Sequence, residues 1–571
     1  MRLRNPLPPL PPIQAPAWRE RTLFGLLLVA TFLECWKPVS DPDTYWHLAI
    51  GREIWKTGHL VRTETFSFTD AGAPWLDFEW LFHVWAYPLF KIGGETGLTV
   101  LTALFGALGV GLAYRSVRLC GGNSVGLALF TLPLLWAYSE RVRFRPELVS
   151  VILFAILLET LIRWRGRAFS AGGERWLLPS LFFVWIQVHG AWAYGGVLAT
   201  AFLAGAVGDA WKANGTFPKD LALRFGTVGV TCLGVLFLNP FGWDLPLLPI
   251  RVLASFSDSQ FVPIAEWART PFQGMFIPYL AACTATVAAI LLMRARFSWA
   301  EFLLAASQLA LGLYWVRYAA FAAVALSPSA ASRLALFRRP KWTEAALACL
   351  AAAGLVGAIG LRLPTLAMPS NPEERYPVRE CAFLRTELPG GNLLHEFRVG
   401  GFLEWTLPGT FKVFMDGRFP LFQAAATDYY QAHRTPATFR AFLGKYLIDA
   451  VLYDYQGFQL VPAGGGRPRG PSAVLFPAAD WALVHFGPYG MVFLKRRSDC
   501  QAIIGKFEYT ILRPDDLPYL LWAADRGSVS KDVLKAEVER SLQTTLPPAL
   551  TMALRAAGDR LRRDGVTNHA P

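Results

Sequence analysis

Charge is scarce in this chain. Only 17% of its 571 residues are charged, where soluble domains carry about 25%. With 53% hydrophobic residues and a mean hydropathy of +0.33, this deficit excludes an ordinary soluble protein. Thiol chemistry is also thin. The seven cysteines stand singly with no C-x-x-C pair, which excludes a disulfide framework and a thiolate metal site. Only Cys381 and Cys500 lie in the non-membrane tail, and both pairing and burial as free thiols stay open for them. There is no G-x-G-x-x-G phosphate loop and no internal repeat. The first apolar run has no A-x-A cleavage site after it, so it reads as a retained anchor.

What is present is a series of apolar runs. A helix needs about 20 residues to cross the hydrocarbon, and candidate spans lie near 22–38, 95–114, 123–139, 146–163, 176–190, 192–211, 222–238, 274–293, 299–316, 318–334 and 343–361. The net charge of +13 comes from Lys and Arg in short loops between these runs. That pattern belongs to membrane topology and argues against nucleic acid. Charge also decides the ambiguous stretch 78–92. If it lies along the surface, Arg19, Arg21, Arg115, Arg118, Arg163, Arg165, Lys212, Arg294, Arg296, Arg338 and Lys341 all face one side. If it crosses, the basic loops split. The expectation is therefore a polytopic α-helical membrane protein of about 11 spans, with a cytoplasmic N-terminus.

Residues 1–21 form a Pro-rich disordered leader in this reading, and 22–361 the membrane module, with an extracytoplasmic loop at 39–94. Residues 362–497 read as a soluble extracytoplasmic α/β domain and 498–571 as a helical tail, with helices near 529–544 and 547–563. Strands are expected at 392–397, 412–415, 447–452 and 491–495, and a short strand at 63–69. Residues 43–57 alternate aromatic and charged side chains as an amphipathic interfacial helix, stopped by Gly58.

Polar residues gather at the ends of the apolar runs. Asp41-Pro42-Asp43 follows the first run, with His47 close behind. Either aspartate can cap the next helix, and two carboxylates with an imidazole are also what activation of a hydroxyl needs. Asp77 and Glu79 supply a second acidic pair in the same loop. Glu79 suits acceptor hydroxyls or, with the aspartates, a hard divalent cation such as Mg or Mn. No other cofactor is indicated, and whether a metal is used stays open. Arg141, Arg143 and Arg145 lie on the outer side against the topology trend. Guanidinium binding to a lipid phosphate is one reason, headgroup anchoring the other. His189, Glu266 and Arg317 are further substrate-contact candidates at predicted outer ends. In the tail, Gly400-Gly401-Phe402-Leu403-Glu404-Trp405 and Met415-Asp416-Gly417-Arg418 stand out, the second as a turn or a ligand-facing loop.

Taken together, these segments resemble the GT-C superfamily of polytopic membrane glycosyltransferases, most closely bacterial relatives of the dolichyl-phosphate-mannose-protein mannosyltransferases. The resemblance rests on the Asp41-Pro42-Asp43 start, on Phe78-Glu79-Trp80-Leu81 and on Arg143-Phe144-Arg145-Pro146. Tyr45 stands where that pattern commonly has Trp, and Phe78 where it has His. The resemblance implies a polyprenyl-phosphate sugar donor, inverting transfer outside a bacterial cytoplasmic membrane, and a glycan, lipid or protein acceptor. It implies Asp43 as general base with Asp41 as its partner, and an outer arginine on the leaving phosphate. The rival readings are a transporter or lipid flippase, and a non-catalytic envelope assembly protein that binds through its C-terminal domain. A transporter commonly shows paired halves, which this sequence lacks.

Overall fold

The computed structural model describes residues 17–166, 174–255, 269–271, 273–274, 276–293, 297–336, 341–367, 372–418, 421–455 and 467–567. The Pro-rich stretch 6–16 and Glu266 lie outside the described residues. The chain groups into two compact units. One comprises Met1–Asp41, Ile54–Leu60 and Leu76–Ser370; the other comprises Pro42–Glu53, Val61–Trp75 and Asn371–Pro571.

The first unit is helical. Its first helix, Trp18–Cys35, begins inside the stretch read as a leader. Helix Trp80–Leu119 covers the ambiguous 78–92 region and the next apolar run, but Gly94 interrupts it with φ 57° and ψ −157°. Only glycine takes such a backbone cheaply, so two helical segments meet there. The run at 123–139 is also broken, into Ser124–Thr131, a 3-10 turn Leu132–Leu134 and Leu135–Arg141. Pro133 removes a backbone donor at that point. Helix Asp244–Ser255 lies between the expected spans at 222–238 and 274–293.

By length and apolarity alone, three helices among the described residues are fit to cross a membrane: Trp80–Leu119, Trp192–Asn214 and Trp342–Ala367. Trp176–Val188 and Phe276–Leu292 are apolar but shorter. Leu108, Phe183 and Leu350 are exposed along these helices, as are Val230 and Leu233 on helix Lys219–Val235. Large uncovered apolar faces of this kind fit a hydrocarbon surrounding.

The second unit is built on a five-stranded mixed sheet in the order β2-β1-β3-β5-β4. Here β1 is Gly391–Leu394, β2 Phe411–Val413, β3 Ala450–Asp454, β4 Trp481–Phe486 and β5 Gly490–Lys495. Strand β1 pairs in parallel with β2 and β3, whereas β5 runs antiparallel to β3 and β4. Edge strand β4 was not anticipated. All of its residues but His485 are buried, so it shows no period-2 alternation. The 63–69 stretch makes only isolated bridges, Thr63 with Pro74 and Ser67 with Val413, and is not a strand. Helices Lys531–Ser541 and Pro548–Thr567 lie where the tail helices were expected. Cys381 and Cys500 are buried free thiols.

His395, directly after β1, is fully enclosed. Its Nε2 accepts from the Phe414 N–H at 3.0 Å, and its Nδ1 lies 2.7 Å from the Glu396 carbonyl, so Nδ1 carries the proton and donates. Burial pulls its pKa down to about 4. Below the usual histidine value of 6.5 the unfolded chain takes up a proton that the folded chain refuses. The stabilisation is therefore complete above pH 6.5 and is lost as pH falls toward 4, amounting to about 3 kcal/mol. Denaturant unfolding at pH 7.5 and at pH 4.5 is expected to show a smaller acid loss in His395→Gln than in the parent protein.

Candidate active site

Asp41 closes the first unit's opening segment and is nearly inaccessible. Two arginines from the turn between helices Leu135–Arg141 and Pro146–Gly166 flank it: Arg145 Nε at 3.5 Å and Arg143 at 3.8 Å. Arg143 also reaches Glu140 at 2.8 Å, and Glu140 takes Lys37 at 2.6 Å. Arg141 turns instead to Glu147, at 2.6 Å. All three arginines thus meet carboxylates. Arg143, with 38% of its side chain exposed against 11% for Arg141 and 18% for Arg145, is the one best able to reach a further anion.

A second polar group lies around the start of helix Trp80–Leu119. Asp77 and His83, both fully buried, pair at 3.1 Å through Nδ1, and Asp77 also accepts from the Glu79 N–H at 3.3 Å. A carboxylate on Nδ1 fixes the tautomer of the ring. Glu79 lies 3.8 Å from His189 Nε2. The other ring nitrogen of His189 is 2.9 Å from Ser150 Oγ, which accepts from the Trp185 indole at 2.8 Å. Trp80 donates to Gln187 at 3.0 Å. The structure thus brings Asp77, Glu79 and His189 into one group, and adds His83 and Ser150. Arg317 is half-buried in the turn Val316–Tyr318.

In the second unit Pro42, Asp43 and Trp46 lie against Gly401 and Gly417, which follow β1 and β2 along the chain. Helix Thr44–Thr57 starts just after Asp43, whose carbonyl accepts from the His47 N–H at 3.2 Å. His47 is buried with its ring against Trp46, centroids 3.7 Å apart. Two glycines permit the docking. A methyl group on Gly401 would meet the Trp46 nitrogen at 2.9 Å and the Pro42 carbonyl at 3.1 Å. On Gly417 it would strike the Asp43 carboxylate, and it would come within 2.7 Å of Trp46 Nε1. Farther along the helix, Arg52 donates to the carbonyls of Trp405 and Glu404 at 2.8 and 3.0 Å. These are end carbonyls of helix Gly400–Thr406, a favoured place for a cation. The two tail segments noted in the sequence are therefore the seat of Pro42, Asp43 and Trp46.

Beneath that seat, Arg418 is completely buried among three carboxylates. It pairs with Glu64 at 2.5 Å, with Glu404 at 3.0 Å and with Asp416. The rings of Phe66, Trp75 and Phe422 surround it, centroids 5.4 to 5.5 Å from the guanidinium carbon. Burial, then the charge of Asp416, hold the Glu404 carboxyl well above the usual range. Burial also pushes Asp416 upward, but the Arg418 charge and a hydrogen bond with Glu404 prevail and hold it low. Asp416 is fully buried, so in this turn it serves Arg418 and does not face solvent.

The fold is that of solved GT-C glycosyltransferases. ArnT from Cupriavidus metallidurans bound to undecaprenyl phosphate is similar with a TM-score of 0.51 and 13% identity, over 84% of this chain and 98% of that one. The apo oligosaccharyltransferase of Archaeoglobus fulgidus is similar with a TM-score of 0.52 and 14% identity, over 88% and 76% of the two chains. AglB from the same organism, in complex with an inhibitory peptide and a dolichol-phosphate, gives 0.50 and 13% over 77% and 70%. At these identities the likeness is one of fold. No family model and no curated protein matches the sequence.

Proposed function

We propose that the protein is a membrane glycosyltransferase that moves a sugar from a polyprenyl-phosphate donor to an acceptor hydroxyl on the extracytoplasmic side. The observation that carries this reading is the buried Asp43 carboxylate, held directly after the first helix of a GT-C fold. Solved structures of this fold hold undecaprenyl phosphate and a dolichol-phosphate, which supports a lipid phosphate as leaving group here. Asp43 takes the proton of the acceptor hydroxyl as its oxygen attacks the anomeric carbon. The bond from that carbon to the phosphate oxygen breaks, its electron pair goes to the phosphate, and the anomeric centre inverts. Asp43 acts as the base in this reading, and Asp41, which two arginines flank, is its partner. Arg143, with Arg145 behind it and Arg317 as a second cation, offsets charge growing on the leaving phosphate, a role that commonly dominates catalysis.

In this reading Asp77, Glu79 and His189 of the first unit and His47 of the second are further substrate contacts. A Mg or Mn ion on the phosphate would take its carboxylate ligand in the first unit from Glu79, since Asp77 is committed to His83. The membrane would be a bacterial cytoplasmic membrane, with the N-terminus inside and the second unit outside.

The product lipid gives a direct check. Undecaprenyl phosphate added to the protein in detergent is expected to raise its unfolding temperature saturably, and Arg143→Met is expected to weaken that effect. A lipid pyrophosphate that stabilises strongly, with no response to the monophosphate, would count against the donor class.

A further inference from the structure

We infer that Gly417 and the buried Arg418 cluster are positioning elements for Asp43, so that the sheet-containing unit sets the geometry of the catalytic base. This rests on Asp43 being that base. Four observations carry it, all within the second unit. The Asp43 carboxylate lies so close over Gly417 that no Cβ fits beneath it. Trp46 Nε1 closes on the same spot, which leaves the carboxylate little room to change rotamer. On the other side, Gly401 admits the Pro42 carbonyl at a distance that any larger residue would disturb, fixing the backbone from which Asp43 projects. The turn that presents Gly417 is itself immobilised, since Asp416 and Arg418 are fully buried and paired to each other, and Arg418 also meets Glu64 and Glu404 and is ringed by aromatics.

Stability alone does not explain a guanidinium among three carboxylates, because apolar residues of similar volume often serve as well or better. What such a cluster does supply is a single rigid arrangement. Proton abstraction needs the base within hydrogen-bond reach of the hydroxyl, and a shift of about 1 Å costs roughly 100-fold in rate. The positioning role explains why two small residues stand at 401 and 417, hundreds of residues away from the segment they seat.

The test is Gly417→Ala in the full-length protein in lipid, beside Asp43→Asn, the double variant, and Gly444→Ala as a control, since a methyl group on Gly444 meets nothing within 4 Å. The expected result is a kcat about 100-fold lower for Gly417→Ala, with donor KM and unfolding temperature close to those of Gly444→Ala. The double variant is expected to be no slower than Asp43→Asn alone, because two residues acting as one unit are not additive. A Gly417→Ala enzyme with parental kcat overturns the inference. So does a further loss in the double variant, which would mark a general structural role. If Gly417→Ala does not fold, Phe422→Leu loosens one ring against Arg418 and keeps the ion cluster. Its kcat should fall several-fold, again only where Asp43 is present, and an equal fall in the Asp43→Asn background overturns the inference. Undiminished turnover by Asp43→Asn removes the reading of Asp43 as base, and the positioning role with it.

Discussion

Arg418→Met is expected to cost the second unit about 3–5 kcal/mol, the range for breaking a buried ion pair by removing one partner. The substitution keeps the side chain's bulk and its contacts with Phe66, Trp75 and Phe422, so the loss isolates the charge. Without the guanidinium, Glu64 and Asp416 stay buried with no counter-ion, and each must either take up a proton or draw in water. Backbone donors still serve Glu64, from Phe66 and Ser67 at 2.6 Å each, so Asp416 is the group left most exposed to the loss. Since many domains hold only 5–15 kcal/mol in all, unfolding near ambient temperature is the expected outcome. Tryptophan fluorescence in a urea titration would read it. Arg497 supplies the contrast. It pairs with Asp449 and Asp499 at the surface, and Arg497→Met should leave the midpoint unchanged, because exposed pairs contribute little.

Asp43→Asn is expected to lower kcat about 1,000-fold, within the 10²–10⁴ that a positioned general base supplies. Asn keeps the shape that lies over Gly417 and loses only the ability to hold a proton, so unfolding should be unaltered and donor KM should move little. Asp41→Asn should behave differently. Its carboxylate lies against Arg143 and Arg145, and its loss would let those arginines turn elsewhere, raising donor KM more than it lowers kcat. Kinetics with one polyprenyl-phosphate sugar at several concentrations would separate the two patterns. Equal losses in kcat for both variants would mean that the two aspartates act as one group.

Much of this was legible in the sequence, for physical reasons. Helix Thr44–Thr57 could be read because apolar and charged residues interleave over 43–57, and Gly58 with φ 71° ends it; its Tyr45 and Trp46 are buried within the protein. The apolar runs announced helices because lipid and core both demand apolar faces of the right length. Strands β1, β2, β3 and β5 lie at or beside the expected positions. Strand β4 was hidden because its buried run looks the same as any short apolar segment. What single residues could not reveal was partnership. Arg141, Arg143 and Arg145 read alike as outer cations, yet one turns to Glu147 and two to Asp41. Gly400-Gly401 and Asp416-Gly417-Arg418 stood out as motifs without a partner. Only the fold shows that Pro42 to Trp46 lie on them, since contacts across more than 350 positions leave no trace in local periodicity. Small residues beside buried charge were the signal available, and they mark close approach more often than flexibility.

The most direct test of the central claim is sugar transfer from radiolabelled polyprenyl-phosphate sugars by the purified protein in lipid, with Asp43→Asn alongside. The account predicts release of polyprenyl phosphate with sugar moved to an acceptor hydroxyl, and its near-complete loss in Asp43→Asn while the unfolding transition stays in place. Intact donor with every sugar offered, from a protein that still binds undecaprenyl phosphate and whose Asp43→Asn variant still functions in cells, would contradict it.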